Sequence, residues 1–256
     1  MNMKNTLLKA AAESGKILKH NFGREFEISF KEVDSNLVTE VDKLSENKII
    51  EIIKNDFPGH CIISEEAGEI YQESEYKWII DPIDGTVNYA HSIPLSSVSI
   101  ALEKSGDLIL GVVLNPFSDE LFFSEKNSGA FLNDKKISVS ACDRIEKSLL
   151  VTGFPYNSGK FLPNPLDLFG KFLKRDIPIR RLGSAALDLC WTACGRFEGF
   201  WEYNLNAWDV AAGVLILREA GGKVTNLKGE KFNIYGKEIL ATNSHIHDAM
   251  LSIINS

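Results

Sequence analysis

The run Asp81-Pro82-Ile83-Asp84-Gly85-Thr86 holds two carboxylates at a spacing suited to chemistry. It follows the apolar stretch Lys77-Trp78-Ile79-Ile80, which reads as a strand ending at Asp81. Both acids therefore sit at a strand's C-terminal end. Pro82 denies a backbone donor and stiffens the turn. Gly85 permits a close backbone approach or a positive φ. Thr86 and Asn88 suit the start of a short helix, whose free N–H groups attract an anion. Two hard oxygen ligands beside a phosphate-sized pocket are how magnesium phosphoryl-transfer sites are built. Glu65-Glu66 follow a second short strand, at 61–64. Asp209 stands at the start of a helix with a small apolar face, Ala211-Ala212-Gly213, where the positive helix end favours a carboxylate. Four carboxylates at strand ends and helix starts can meet at one crevice.

Each acid also has a plain reading. Asp81 or Asp84 alone is a turn residue. Glu65 and Glu66 read as exposed acids, Asp209 as a helix cap, and Asp42 as the partner of Thr39 in a capping box. Lys31 alone is a surface lysine. The chemistry favours the constellation. A phosphate monoester is a dianion, which a carboxylate-rich site repels unless metal ions reverse the local sign. Two ions about 3.5–4 Å apart stabilise both the attacking and the leaving oxygen, and a metal-activated water is a nucleophile near neutral pH. No histidine or cysteine nucleophile is required. The five histidines form no ligand cluster, and His245-x-His247 reads as a solvated helix start. Trp191, Trp201, Trp208, Phe197 and Phe200 read as core or subunit-interface packing.

The elements that must position these residues follow from periodicity. Helices are expected over 6–20 and 41–55, the second capped by Thr39 and stopped by Pro58-Gly59. Strands at 61–63, 77–80, 98–102, 108–114 and 121–124, then a hairpin over 129–139 broken by Asn133-Asp134, make a mostly antiparallel sheet. The second half alternates. Helices at 166–173, 184–194 and 207–220, strands at 177–181, 197–203, 224 and 239–242, and a last helix holding Met250, Leu251 and Ile254 suggest an α/β unit. Pro155, Ser158-Gly159, Pro163 and Pro165 mark a soft boundary, dividing the chain into 1–150 and 151–256. Enzyme sites favour such interfaces.

The chain has 256 residues, a net charge of −7 and 44% hydrophobic residues, the proportions of an ordinary globular protein rather than a disordered one. The negative charge argues against nonspecific nucleic-acid binding. The longest apolar run, 210–217, is far short of the ~20 residues of a membrane helix. The N-terminal residues lack an apolar signal-peptide core, which points to the cytoplasm. Four scattered cysteines read as free thiols, not a disulfide framework.

The Asp81–Thr86 run, the upstream Glu65-Glu66 and Trp208-Asp209-Val210-Ala211-Ala212-Gly213 together resemble the inositol monophosphatase family. So do Asn36-Leu37-Val38-Thr39 before Asp42, Gly183-Ser184-Ala185-Ala186 and Glu219-Ala220-Gly221-Gly222, and the likeness runs nearly end to end. The resemblance implies a magnesium-dependent, lithium-sensitive phosphomonoesterase, usually a homodimer, with a layered αβαβα sandwich. By it, Glu65 and Asp81 hold a first magnesium with the Ile83 carbonyl. Asp81, Asp84 and Asp209 hold a second. A third, weaker ion sits near Glu65, largely through water, with Lys31 close by. The Gly85 and Thr86 N–H groups grip phosphate, and Thr86 and Asp42 orient the attacking water. Gly183, Ser184, Ala185, Glu202 and Asp209 line the pocket for the alcohol. The connection 67–80 is short for the family and borders the outer metal region, which bears on the third ion and on lithium.

The leading expectation is hydrolysis of inositol 1-phosphate or a similar polyol phosphate. A dual inositol monophosphatase and fructose-1,6-bisphosphatase is the alternative, with Arg180, Arg181 or Lys160 meeting the second phosphate. A third reading, a transcription accessory role through protein contacts, needs no catalysis.

Overall fold

The computed structural model describes residues 2–24, 28–30, 37–155 and 165–256. Helix α1 (Met3–Asn21) buries Leu7, Ala10, Ala11 and Leu18 on one face, and the Asn2 side chain caps it. Helix α2 (Glu40–Asp56) buries Val41, Ile49, Ile52 and Ile53. Its N-terminus is the capping box that the Thr39/Asp42 spacing implies: the Thr39 hydroxyl accepts from the Asp42 N–H, and the Asp42 carboxylate accepts from the Thr39 N–H. A small ribbon, β1 (Ile28–Phe30) and β2 (Leu37–Thr39), precedes α2.

The largest sheet has eight strands in the order β10-β9-β8-β7-β6-β5-β3-β4. These are β3 (Cys61–Ser64), β4 (Gly68–Ile70), β5 (Tyr76–Asp84), β6 (Ser97–Lys104), β7 (Asp107–Asn115), β8 (Glu120–Glu125), β9 (Ala130–Leu132) and β10 (Lys135–Ile137). All neighbours are antiparallel except β3 and β5. The second sheet has the order β12-β11-β13-β15-β14. It contains β11 (Leu150–Thr152), β12 (Ile179–Arg180), β13 (Gly199–Tyr203), β14 (Lys223–Thr225) and β15 (Glu238–Thr242). Its helices are α4 (Pro165–Leu173), α5 (Ala185–Ala193), α6 (Ala207–Glu219) and α7 (His247–Ile254); α3 (Thr86–Ala90) follows β5.

Strand alternation divides the core into three. Trp78 and Ile80 of β5 and Ile100 and Leu102 of β6 face α1 and α2. Ile79 and Ala101, between them, face α5 and α6, and so do Phe200 and Ala241 of the second sheet. Trp201 and Leu240 face outward onto Phe172 of α4 and Met250 of α7. The layers thus run helix pair, sheet, helix pair, sheet, helix pair, the αβαβα order expected.

Several local expectations change. The strand expected over 77–80 continues to Asp84, because a bulge lets it pass Pro82 while still paired. The strand over 177–181 shrinks to two residues. The ribbon and β4 and β11, each three residues long, are too short to show a period. His247 is not solvated: it is fully buried. The cysteines are free, as expected. No described helix is long and apolar enough to cross a membrane.

Candidate active site

The β5 bulge explains why Asp81 and Asp84 act together. Asp81 pairs with Ser99 and Asp84 with Ser97, so three steps on β5 match two on β6. Residues three apart on a regular strand face opposite ways. One extra residue returns both acids to the same face. Asp81 accepts from the Ile83 N–H at 3.0 Å, which closes the turn. Beyond it Gly85 has φ 90°, and a Cβ there would lie 2.9 Å from the Leu95 carbonyl oxygen. Glycine serves both the conformation and the close approach.

Helix α2 props this turn from below. Ser45 donates to the Pro82 carbonyl at 3.0 Å. Asp42, fully buried, accepts from the Thr39 hydroxyl at 2.6 Å and the Thr39 N–H at 2.8 Å. Its other oxygen accepts from the Thr86 hydroxyl at 3.3 Å, which also reaches the Ile83 carbonyl at 3.0 Å. Glu46, one helical turn after Asp42, accepts from the Ser64 hydroxyl and from the Glu66 and Ala67 N–H groups, each at 3.0 Å. It holds the turn that carries Glu65.

The second sheet supplies the other wall. Asn88 of α3 donates to the Leu95 and Leu182 carbonyls, both at 2.8 Å, and so ties the β5 turn to the approach of α5. Ser184 caps α5 and donates to Asp84, which also accepts from the Ala186 N–H at 2.9 Å. Asp84 is thus held at a positive helix end. Asp209 accepts from the Asn206 N–H at 2.6 Å, so it caps α6 and faces the cavity at once.

One cavity of about 180 Å³ results. It is lined by Glu65, Asp81, Ile83, Asp84, Gly85, Thr86, Gly183, Ser184, Ala185, Glu202 and Asp209, every expected pocket residue. Asp42 stands behind Thr86 rather than on the wall. Lys31 and Lys160 lie outside the described residues. Arg181 also lines the cavity and is the one Lys or Arg among the described lining residues; Arg180 is exposed on β12. Sequence reasoning missed several neighbours, including the wall residues Tyr203 to Asn206 and three that bear on the acids. Glu46 follows Asp42 by four residues, a same-face spacing that would have found it. Asp188 is likewise four residues after Ser184, almost wholly buried, with one carboxylate oxygen that has no hydrogen bond among the described residues. Gly153 also lines the cavity and carries no local signal.

The acids are held in an environment that resists their charge. Burial pushes Asp81 and Asp209 well above the ordinary carboxylate range, and the neighbouring Glu65 and Asp84 charges push them further. Burial raises Asp84 to about 6 against the opposing Ser184 and Ala186 hydrogen bonds. Burial raises Glu202 to about 8, aided by Asp209 and Asp84 and opposed by Arg181. Asp42 rises to about 7 through burial, despite the Thr39 hydrogen bonds. Such a cluster calls for cations from outside. Among the described residues no three His, Cys, Asp or Glu side chains make a metal cage by themselves. The donors are all hard oxygens, however, and magnesium is held by a few carboxylates plus waters and substrate phosphate rather than by an all-protein cage. The residues fit that ion.

The model of the inositol monophosphatase family matches residues 2–256. An inositol-1-monophosphatase of Synechocystis is 44% identical over 230 residues, covering 90% of this chain and 80% of its own. A Haemophilus influenzae protein named Nus factor SuhB is 39% identical over 254 residues, covering 98% and 95%. The crystal structure of extragenic suppressor protein suhB from Bartonella henselae superimposes with a TM-score of 0.93 at 38% identity, covering 99% and 98%. With the fold, the carboxylate cavity and a match along almost its whole length, the chain belongs to the inositol monophosphatase family.

Proposed function

We propose that this protein is a magnesium-dependent phosphomonoesterase that hydrolyses inositol 1-phosphate, or a similar polyol phosphate, to the alcohol and inorganic phosphate. The observation that carries the reading is the meeting of Glu65, Asp81, Asp84 and Asp209 in one cavity, with Thr86 on its wall and Asp42 hydrogen-bonded behind it. Glu65, Asp81 and the Ile83 carbonyl would hold one magnesium, and Asp81, Asp84 and Asp209 would close on a second. When bound, the ions supply neutralisation of the phosphate dianion and activation of water near neutral pH.

The chain's own residues do the rest. Asp42 is fully buried and, among the described residues, meets the cavity wall through the Thr86 hydroxyl. Thr86 can accept a proton from water while donating its own to Asp42, and it fixes the direction from which that water arrives. Ser184 and the α5 N-terminus keep Asp84 pointed inward. The Gly85 and Thr86 N–H groups face phosphate. Glu202 accepts hydrogen bonds from hydroxyls of the alcohol, with Gly183, Ser184 and Ala185 beside it. A third ion near Glu65 with Lys31, sensitivity to lithium, a homodimer, a cytoplasmic location and the division at residue 150 belong to the same reading.

Two further readings have an observation each. Arg181 on the cavity wall favours a second phosphate, as in fructose 1,6-bisphosphate. The name of the Haemophilus relative favours an accessory role in transcription. Phosphate release from inositol 1-phosphate and fructose 1,6-bisphosphate, with and without magnesium and with lithium as a second variable, separates them. Magnesium-dependent, lithium-sensitive release from inositol 1-phosphate is expected. Comparable turnover of both substrates makes the enzyme dual. No release from either substrate by folded protein overturns the inositol-phosphate reading in favour of another phosphomonoester or the accessory role.

A further inference from the structure

Gly153 sits directly after β11, where Thr152 pairs with Trp201, and so lies alongside Glu202 on β13. The Thr152 hydroxyl donates to the Trp201 carbonyl at 2.7 Å and locks that register. A Cβ built on Gly153 would fall on the Glu202 carboxylate, well inside van der Waals contact of both oxygens. Gly153 is not in the left-handed region, so its φ does not demand glycine. Glycine is needed here for space alone. The atoms it makes room for are the far end of a flexible side chain, which can swing into the cavity it lines. A methyl group at this position would therefore move the carboxylate at small cost to the fold.

We propose that Gly153 is a specificity-positioning residue: its bare backbone forms the slot that fixes the Glu202 carboxylate where hydroxyls of a polyol phosphate meet it. This rests on the reading of the cavity as a polyol-phosphate site. Gly153 touches Glu202 rather than the reacting atoms, so it acts on the choice of alcohol rather than on the phosphate chemistry.

The test is a double-mutant cycle on the full chain with magnesium. The variants are Gly153→Ala, Glu202→Ala and both together. The readout is the ratio of kcat/KM for inositol 1-phosphate to that for phenyl phosphate, which has no polyol. Gly153→Ala is expected to lower the ratio roughly tenfold, mainly through KM, as for the loss of one hydrogen bond to the alcohol. In the Glu202→Ala background the same substitution is expected to change it by less than about twofold, because the partner is gone. A retained preference in Gly153→Ala, or two effects that simply multiply, overturns the proposal. Melting temperatures of the same four proteins read the slot without substrate: a loss in Gly153→Ala that vanishes when Glu202 is removed supports it, and additive losses refute it. A wild type that releases phosphate from both substrates with no preference refutes the polyol reading instead, a result distinct from a preference that survives Gly153→Ala.

Discussion

Asp84 has two duties that one substitution separates. Its carboxylate meets Ser184 and the α5 N–H groups on one side and the cavity on the other. Asp84→Asn keeps the shape but removes the charge a divalent cation needs. We expect magnesium-dependent phosphate release to fall by at least about 100-fold with the far-ultraviolet circular dichroism unchanged, a loss comparable to removing one preorganised electrostatic group. Glu65→Gln is expected to do the same. Unchanged turnover in either would dismiss the ligand assignment. At this scale the sequence was highly legible, because Asp81, Asp84, Glu65 and Asp209 are types that chemistry demands at strand ends and helix starts.

At the scale of elements, caps carry more than stability. Thr39 caps α2 and also donates to Asp42, the residue behind Thr86. Thr39→Ala is expected to cost about 1 kcal/mol as a lost cap. It should also lower kcat more than it raises KM, since Asp42 loses a hydrogen bond that holds its orientation. Steady-state kinetics beside urea unfolding check both parts. Helix α7 is pinned differently. The buried His247 ring meets Thr242 through Nδ1 at 2.9 Å and Thr225 through Nε2 at 3.0 Å. Thr225 already donates to the Asn226 carbonyl, so it accepts from Nε2–H and leaves Nδ1 to accept from Thr242. That arrangement holds the ring neutral, and burial lowers its pKa to about 4, with Lys223 adding to the shift. The unfolded chain takes up this proton below about pH 6.5 and the folded chain does not. Stability from this group is thus whole above about pH 6.5 and drains away as pH falls towards about 4, on the order of 3 kcal/mol in all. Wild type should therefore lose more stability than His247→Gln between pH 7 and 5 in urea unfolding. Equal losses would remove His247 from the account.

The whole molecule gathers carboxyl groups at one cavity and, in Asp42, just behind its wall. Asp81, Asp84, Asp209, Glu202 and Asp42 all titrate above the ordinary carboxylate range in the folded chain. In metal-free protein the folded state keeps protons that the unfolded state has released. These groups therefore favour folding most near pH 4 and progressively less as pH rises through 6 to 8. A divalent cation relieves the same repulsion. Chelation is expected to lower the melting temperature more at pH 8 than at pH 5.5, and saturating magnesium to restore it, read by scanning calorimetry. A magnesium effect that is absent, or larger at the lower pH, would contradict the metal reading.

The sequence by itself determined the family, the acids and the alternation of elements, because side-chain type and period survive in one dimension. Thr39 announced its box with Asp42 three residues later, and the glycines and prolines of the turns marked where strands stop. What only the tertiary structure decided is how separate segments share space. The β5 bulge that turns Asp81 and Asp84 to one face depends on pairing with Ser99 and Ser97 of another strand. The burial of His247 depends on Thr225 and Thr242, which no local pattern links to it. Gly153 matters only because Glu202, 49 positions away, lies against it once β11 and β13 pair. Contacts between residues distant in the chain are chosen by packing of complete layers, and that choice leaves no period in the sequence.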